Sequence, residues 1–209
     1  MNYDTIGGAV TLQTNGEGTI LAGRYRVIRQ LGNGGMGNVW LVEDNQLNGK
    51  RLAVKMLPAI LAENKRACKQ LRDEALVAMK LTHPNIVTLR DYAENGGTPF
   101  LVMDYVDGQT LDEYLAEKGT LTEEETLRLL RPIAGALDYA HREGVVHRDV
   151  KPANVMIRKD GRPFVLDFGI AREVQETMTR MTGAMSSGTL LYIKSARPHR
   201  PPKTRGVTQ

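Results

Sequence analysis

The stretch that decides the reading is VVHRDVKPANVMI, residues 145–157. Two apolar runs enclose a polar middle that holds Asp149, Lys151 and Asn154. Asn154 stands five residues beyond Asp149, so on one tight loop both can face the same point. A second stretch, FVLDFGIAR at residues 164–172, places Asp167 after another apolar run and follows it with Phe168 and Gly169.

Working toward the N-terminus, residues 25–55 are strand-like. Tyr25, Val27 and Ile28 lead into LGNGGMGNV at residues 31–39, and Val39, Trp40, Leu41 and Val42 follow. LNGK at residues 47–50 contains Asn-Gly, the strongest short hairpin signal, and RLAVKML at residues 51–57 reads as a further strand. Three antiparallel strands are expected, with the glycines in the first turn. Gly32, Gly34 and Gly37 match G-x-G-x-x-G. A dinucleotide-binding unit would need a helix directly after these glycines. A β-run and a hairpin follow instead, so the pattern reads as a flap over phosphates. Glycine lets the backbone approach phosphate oxygens that a side chain would block.

Lys55 lies inside an apolar strand, and residues 64–81 follow as a helix with Leu71, Ala75 and Ala78 on one inward stripe. Glu74 falls on that stripe. A carboxylate on an apolar face is costly unless paired, and Lys55 is its expected partner. A lysine held in this way grips phosphates as a point charge. HPNIVTL at residues 83–89 and an apolar strand at residues 99–106 come next. Thr110 with Glu113, and Thr122 with Glu125, are capping boxes that start a short helix ending near Gly119 and a longer one. In the longer helix Leu127, Leu130, Ala134, Leu137 and His141 share a face, and Pro132 predicts a kink or a later start.

The ordered set LGNGGMGNV, AVK, helical Glu74, HPNIV, HRDVKPAN and DFG resembles the protein kinases, in particular the bacterial serine/threonine kinases of the eukaryotic type. The resemblance implies an α+β fold. Its N-lobe, residues 25–103, is an antiparallel sheet with one long helix, and residues 104–192 form an incomplete, mainly helical C-lobe. It implies ATP and Mg²⁺ as cofactors and transfer of the γ-phosphate to a Ser or Thr hydroxyl of a protein substrate. Phosphoryl transfer needs positioning and charge neutralisation more than covalent chemistry. Asp149 would take the hydroxyl proton, Lys151 would neutralise charge, and a lysine there resembles the Ser/Thr-specific members. Asn154 and Asp167 are hard oxygen ligands suited to Mg²⁺.

The same resemblance implies that Lys55, with Glu74, holds the α- and β-phosphates. It assigns Leu31, Val39, Ala53 and Met156 to the nucleotide pocket, Met103 to its rear, and the backbone of Asp104 and Val106 to the adenine edge. His147 and Phe168 would stack behind the site. In the family, the arginine at the position of Arg148 is typically controlled by phosphorylation of the following loop. Thr182 or Thr179 would be the autophosphorylated residue here, and Thr189 would contact the catalytic aspartate.

Composition fits a soluble globular chain, with 41% hydrophobic and 25% charged residues. The net charge of +4 comes from the end of the chain: residues 193–209 carry five cations and no acid, which leaves −1 for residues 1–192. The body therefore gives no support to nucleic-acid binding. The single cysteine, Cys68, excludes an internal disulfide framework and fits a cytoplasmic setting. No signal peptide is expected at the N-terminus, and no apolar run approaches the roughly 20 residues of a membrane span. Residues 1–22 read as a flexible leader. Residues 193–209 (IKSARPHRPPKTRGVTQ) depart from the family, whose Pro-Glu motif and later helices would follow here. An out-of-frame reading is the leading explanation of this basic, disordered tail, with natural truncation or a small nucleic-acid-binding appendage as alternatives. The competing functional readings are an inactive nucleotide-binding fragment and an interaction module that uses an exposed helix and the tail.

Overall fold

The structure, a computed structural model, describes residues 16–34, 37–58, 61 and 64–168. The segment with Thr179, Thr182 and Thr189, Gly169, and the tail from residue 193 lie outside the described residues.

Six strands build the first sheet: β1 (Ile20–Leu21), β2 (Tyr25–Gly34), β3 (Gly37–Asp44), β4 (Lys50–Met56), β5 (Leu89–Asn95) and β6 (Thr98–Asp104). Their order across the sheet is β1-β2-β3-β4-β6-β5, antiparallel throughout. β1 corrects the expectation for residues 1–22. Ile20 and Leu21 are strand rather than leader, and Leu21 is buried against Tyr25 and Val27. The predicted hairpin between β3 and β4 forms, and Asn48 and Gly49 take the left-handed φ values of 52° and 73° that Asn and Gly tolerate. Its loop is longer than a two-residue turn, because Gly49 and Leu47 both donate to the Asp44 carbonyl.

The pleat sorts side chains to two faces. Leu52, Val54, Phe100 and Val102 pack on one face with Tyr25 and Val42. Ala53, Leu101 and Met103 pack on the other, against α1 (Lys65–Ala78). Asn64 caps α1 by accepting from the Ala67 N–H at 3.0 Å. The predicted stripe is correct, since Leu71, Ala75 and Ala78 are buried.

After β6 the chain makes β7 (Gly108–Thr110), α2 (Leu111–Lys118), α3 (Glu123–Arg142), a 3₁₀ turn at Pro152–Asn154, β8 (Val155–Arg158) and β9 (Pro163–Val165). β7, β8 and β9 form a second, small antiparallel sheet. Both predicted capping boxes are present in full, on Thr110 with Glu113 and on Thr122 with Glu125.

α3 starts at its capping box and runs through Pro132, so the later start does not occur. Its buried residues are Leu129, Ile133, Ala136 and Ala140, which pack on β8 and β9. The face singled out by sequence, with Leu127, Leu130, Ala134 and His141, points outward; Leu127 is 39% and Leu130 51% exposed. Leu137 at its edge is half-buried. The helix is apolar on two sides, and the second sheet takes only one. No helix among the described residues is long and apolar enough to cross a membrane.

The segment HPNIV stitches the two sheets together. The Asn85 amide donates to the Pro163 carbonyl at 2.9 Å, Val165 donates to the Asn85 carbonyl at 2.8 Å, and Val87 donates to the Val165 carbonyl at 2.9 Å. Tyr139 of α3 reaches the same segment, its hydroxyl accepting from the Thr82 N–H.

Candidate active site

Between Ala140 and β8 the chain turns back through His147, Arg148, Asp149 and Lys151. This loop is held by its own side chains. Asn154 donates its amide hydrogens to the Asp149 carbonyl at 2.8 Å and to Asp149 Oδ2 at 3.0 Å. Lys151 Nζ lies 2.8 Å from the same Oδ2. Asp149 is thus an oriented, nearly buried carboxylate, 7% exposed, with a cation at its side. The bonds to Asp149 use the Asn154 nitrogen, so the amide oxygen is not committed to them.

His147 sits beneath the loop, 2% exposed. Its Nδ1 accepts from the Asp149 N–H at 3.3 Å, and its Nε2 donates to the Leu166 carbonyl at 2.7 Å. One nitrogen accepting and the other donating is the neutral imidazole. Burial pushes its pKa below the ordinary histidine value, against the opposing pull of the Leu166 carbonyl and of Asp167 and Asp149. Phe168 packs edge-on to the ring, centroids 4.7 Å apart, as the resemblance implied. Leu166 also donates its N–H to the Asn154 carbonyl at 2.9 Å. Asp149 and Asp167 are therefore hung from one framework. Arg148 and Asp167 both have left-handed backbone, φ 66° and 56°. Such conformations in non-glycine residues are costly and cluster at functional sites.

The glycine segment forms a hairpin, as predicted. Gly34 pairs with Gly37 across the turn, and the register shifts between Gln30 and Gly32. No helix follows the glycines, so the dinucleotide-binding alternative is excluded. Inside this flap Ala53 and Met103 are cross-strand neighbours, as are Val39 and Lys55. Leu31 and Val39 pack at the margin of the same cluster. Met156 is half-buried on β8, opposite Phe164 of β9. The Asp104 N–H is committed to the Thr88 carbonyl, and its side chain turns to Arg90 and Lys50.

One expected pairing is corrected. Lys55 does not take Glu74 as its ion-pair partner; its Nζ lies 2.5 Å from Asp167 Oδ2, with both side chains largely buried. Glu74 instead lies 3.7 Å from Arg148 Nη1, at the rim where both are partly exposed. Glu74 does sit on the helix stripe, but at its solvent edge, half-buried beside fully buried Leu71 and Ala75. A nearly buried ammonium is satisfied by the carboxylate that is equally buried. Sequence reasoning also missed that Asn85 fastens the site's two halves, although its place in HPNIV, between two apolar runs, was the available signal.

These features accord with the comparisons. Residues 25–194 match the protein kinase domain family. The chain is 38% identical over 176 residues to the probable serine/threonine-protein kinase PknB of Lactococcus lactis. It is 40% identical over 181 residues to the serine/threonine-protein kinase PknA of Mycobacterium tuberculosis. Each match covers 84% of this chain, but only 28% and 42% of the respective relative's length. The crystal structure of the M. tuberculosis PknI kinase domain superposes with a TM-score of 0.66 at 38% identity, covering 74% of this chain and 61% of that one. A sheet-borne glycine hairpin, a polar loop built on Asp149 and Asn154, and a family match over residues 25–194 lead to one assignment: the chain belongs to the protein kinase domain family.

Proposed function

We propose that the chain carries the catalytic residues of an ATP-dependent serine/threonine protein kinase. The observation that carries the reading is the carboxylate of Asp149, held by Asn154 and Lys151 and joined through His147 and Leu166 to the segment that bears Asp167. A general base must be oriented before it can act, and this one is fixed from three sides.

In the transfer, the substrate hydroxyl oxygen attacks the γ-phosphorus as Asp149 accepts its proton. The bond from phosphorus to the β,γ-bridging oxygen breaks, and ADP leaves. Lys151, beside Asp149, neutralises charge that gathers on the transferring group. Lys55 serves the α- and β-phosphates as a point charge. Asp167 and Asn154 would hold Mg²⁺. One carboxylate and one amide oxygen suit a cation that takes its remaining ligands from phosphates and water, and among the described residues no cluster of three or more His, Cys, Asp or Glu offers a protein cage. When bound, the metal would supply charge neutralisation across the phosphates.

The substrate is a protein Ser or Thr hydroxyl by likeness to the named relatives, with autophosphorylation at Thr182 or Thr179 included. The use of ATP and the single free Cys68 suit a cytoplasmic setting. The test is transfer of radiolabelled γ-phosphate from ATP to a generic Ser/Thr substrate by the purified chain and by Asp149→Asn. Transfer by the parent, lowered about 10²- to 10⁴-fold in the variant, is expected. Equal transfer by both proteins would overturn the assignment of Asp149.

A further inference from the structure

A cavity has in its lining Asp104 and Val106, which the resemblance assigns to the adenine edge. It measures about 340 Å³, within the range that small-molecule sites occupy. Its walls come from both sheets. Lys50, Arg51 and Asp104 belong to the first, Arg158 and Phe164 to the second, and the segments around Thr88 and Tyr105 join them. None of the catalytic groups lines it.

The charges around this cavity do not balance. The lining holds three cations, Lys50, Arg51 and Arg158, and one carboxylate, Asp104. Asp104 is shared between Arg90, at 2.6 and 3.0 Å, and Lys50 at 3.3 Å. Its partial burial opposes ionisation, but these two cations outweigh it and hold its pKa below the usual carboxylate range. Asp160 is taken by Arg158 and Arg162, and Arg158 lies over the Phe164 ring, 5.2 Å from its centre. Glu43, cross-strand from Arg51, is engaged by Arg26 at 2.5 Å. Among the described residues Arg51 has no ion pair. The three lining cations exceed the one lining carboxylate by two charges, beside the apolar surface of Ile86, Val87 and Phe164.

We infer that this cavity between the two sheets is a binding site for a small phosphate monoester. The dianionic phosphate would meet the planar fork of Arg51, which has no ion pair, with Lys50 and the Asp160-bound Arg158 adding positive charge, while the organic part lies on the apolar wall. The inference goes beyond the proposed phosphoryl transfer and does not require it.

The test uses the full chain and ribose 5-phosphate as probe, read by amide chemical shifts without ATP or turnover. Saturable shifts at Arg51, Thr88 and Arg158 are expected, with a Kd below about 1 mM. Ribose alone should leave them unmoved. Arg51→Gln, which removes a cation with no ion pair to lose, should weaken binding about tenfold or more. Shifts confined to Lys55 and the glycine strands would assign the probe to the nucleotide site and overturn the inference. Equal binding of ribose or of inorganic phosphate, or unchanged affinity in both Arg51→Gln and Arg158→Gln, would overturn it too. Because the readout is binding at named amides, it can fail in a chain that transfers phosphate and succeed in one that does not.

Discussion

Two halves of the candidate active site were built by different rules. The loop at residues 147–154 closes on itself: Asp149, Lys151, Asn154 and His147 satisfy one another across a few residues. The set Lys55, Glu74, Arg148 and Asp167 joins β4, α1, that same loop through Arg148 and the segment after β9, and its pairs cross up to 112 positions of sequence. Short-range geometry follows from chain stiffness and spacing. Long-range pairing follows from which carboxylate is equally buried, and spacing carries no record of that. The first half therefore behaves as a fixed part, the second as a choice of partners.

The largest effect should come from breaking the fixed part. Asn154→Ala removes its two hydrogen bonds to Asp149 and an oxygen for the proposed cation, leaving Lys151 and His147 in place, so phosphate transfer should fall about 10²-fold or more. A steady-state assay beside a far-UV spectrum checks this. A loss of less than about tenfold would mean that Asp149 is positioned without Asn154.

Next in size is the buried pair Lys55–Asp167. A double-mutant cycle with Lys55→Met and Asp167→Asn, read by urea unfolding of the nucleotide-free chain, should give a coupling of about 1–3 kcal/mol, because both side chains are largely buried. A coupling near zero would return Lys55 to Glu74 as the sequence suggested.

Histidine 147 gives a pH test of the fixed half. Burial depresses its pKa in the folded chain, so the unfolded chain binds the proton first as pH falls. The stability this contributes is fully present above the unfolded value of about 6.5. It is lost as pH falls from there toward the lower folded value. The urea midpoint should therefore drop between pH 7.5 and pH 5.5 by more in the parent than in His147→Asn, a difference in stability of about 1.4 kcal/mol at most per pH unit. Parallel curves would show that His147 titrates normally.

The contrast also explains what was legible in the sequence. Capping boxes, the glycine hairpin and the α1 stripe are local patterns, and each forms where Thr110, Thr122, Gly34 and Leu71 announced it. In α3 the period was readable but the side was not. Leu127 and Leu130 repeat as well as Leu129 and Ile133, and only the second sheet, assembled from β7, β8 and β9, decides which row is buried. Glu74 failed for the same reason: its position on the stripe was right, but its depth depends on how α1 sits against the loop that bears Arg148, a fact of tertiary packing. The rear cavity had no local signature, since Lys50, Arg51, Asp104 and Arg158 meet only when both sheets are in place.

The smallest expected effect concerns Glu74 and Arg148, and it bears most directly on whether the second half is a choice of partners. Their closest atoms are 3.7 Å apart, with side chains 31% and 43% exposed. Water screens such a pair, and holding two long side chains together costs entropy, so its net contribution should stay below about 1 kcal/mol. The cycle of Glu74→Gln with Arg148→Gln, measured as for Lys55 and Asp167, isolates the pairwise part from whatever else either residue touches. A coupling below about 1 kcal/mol, and smaller than that of Lys55–Asp167, supports a rim contact that can be exchanged cheaply. The Lys55–Glu74 pairing that the resemblance implies would then have little to displace at Arg148. A coupling as large as that of the buried pair would instead make the Glu74–Arg148 contact a fixed strut, and the division of the site into a rigid half and an exchangeable half would fail.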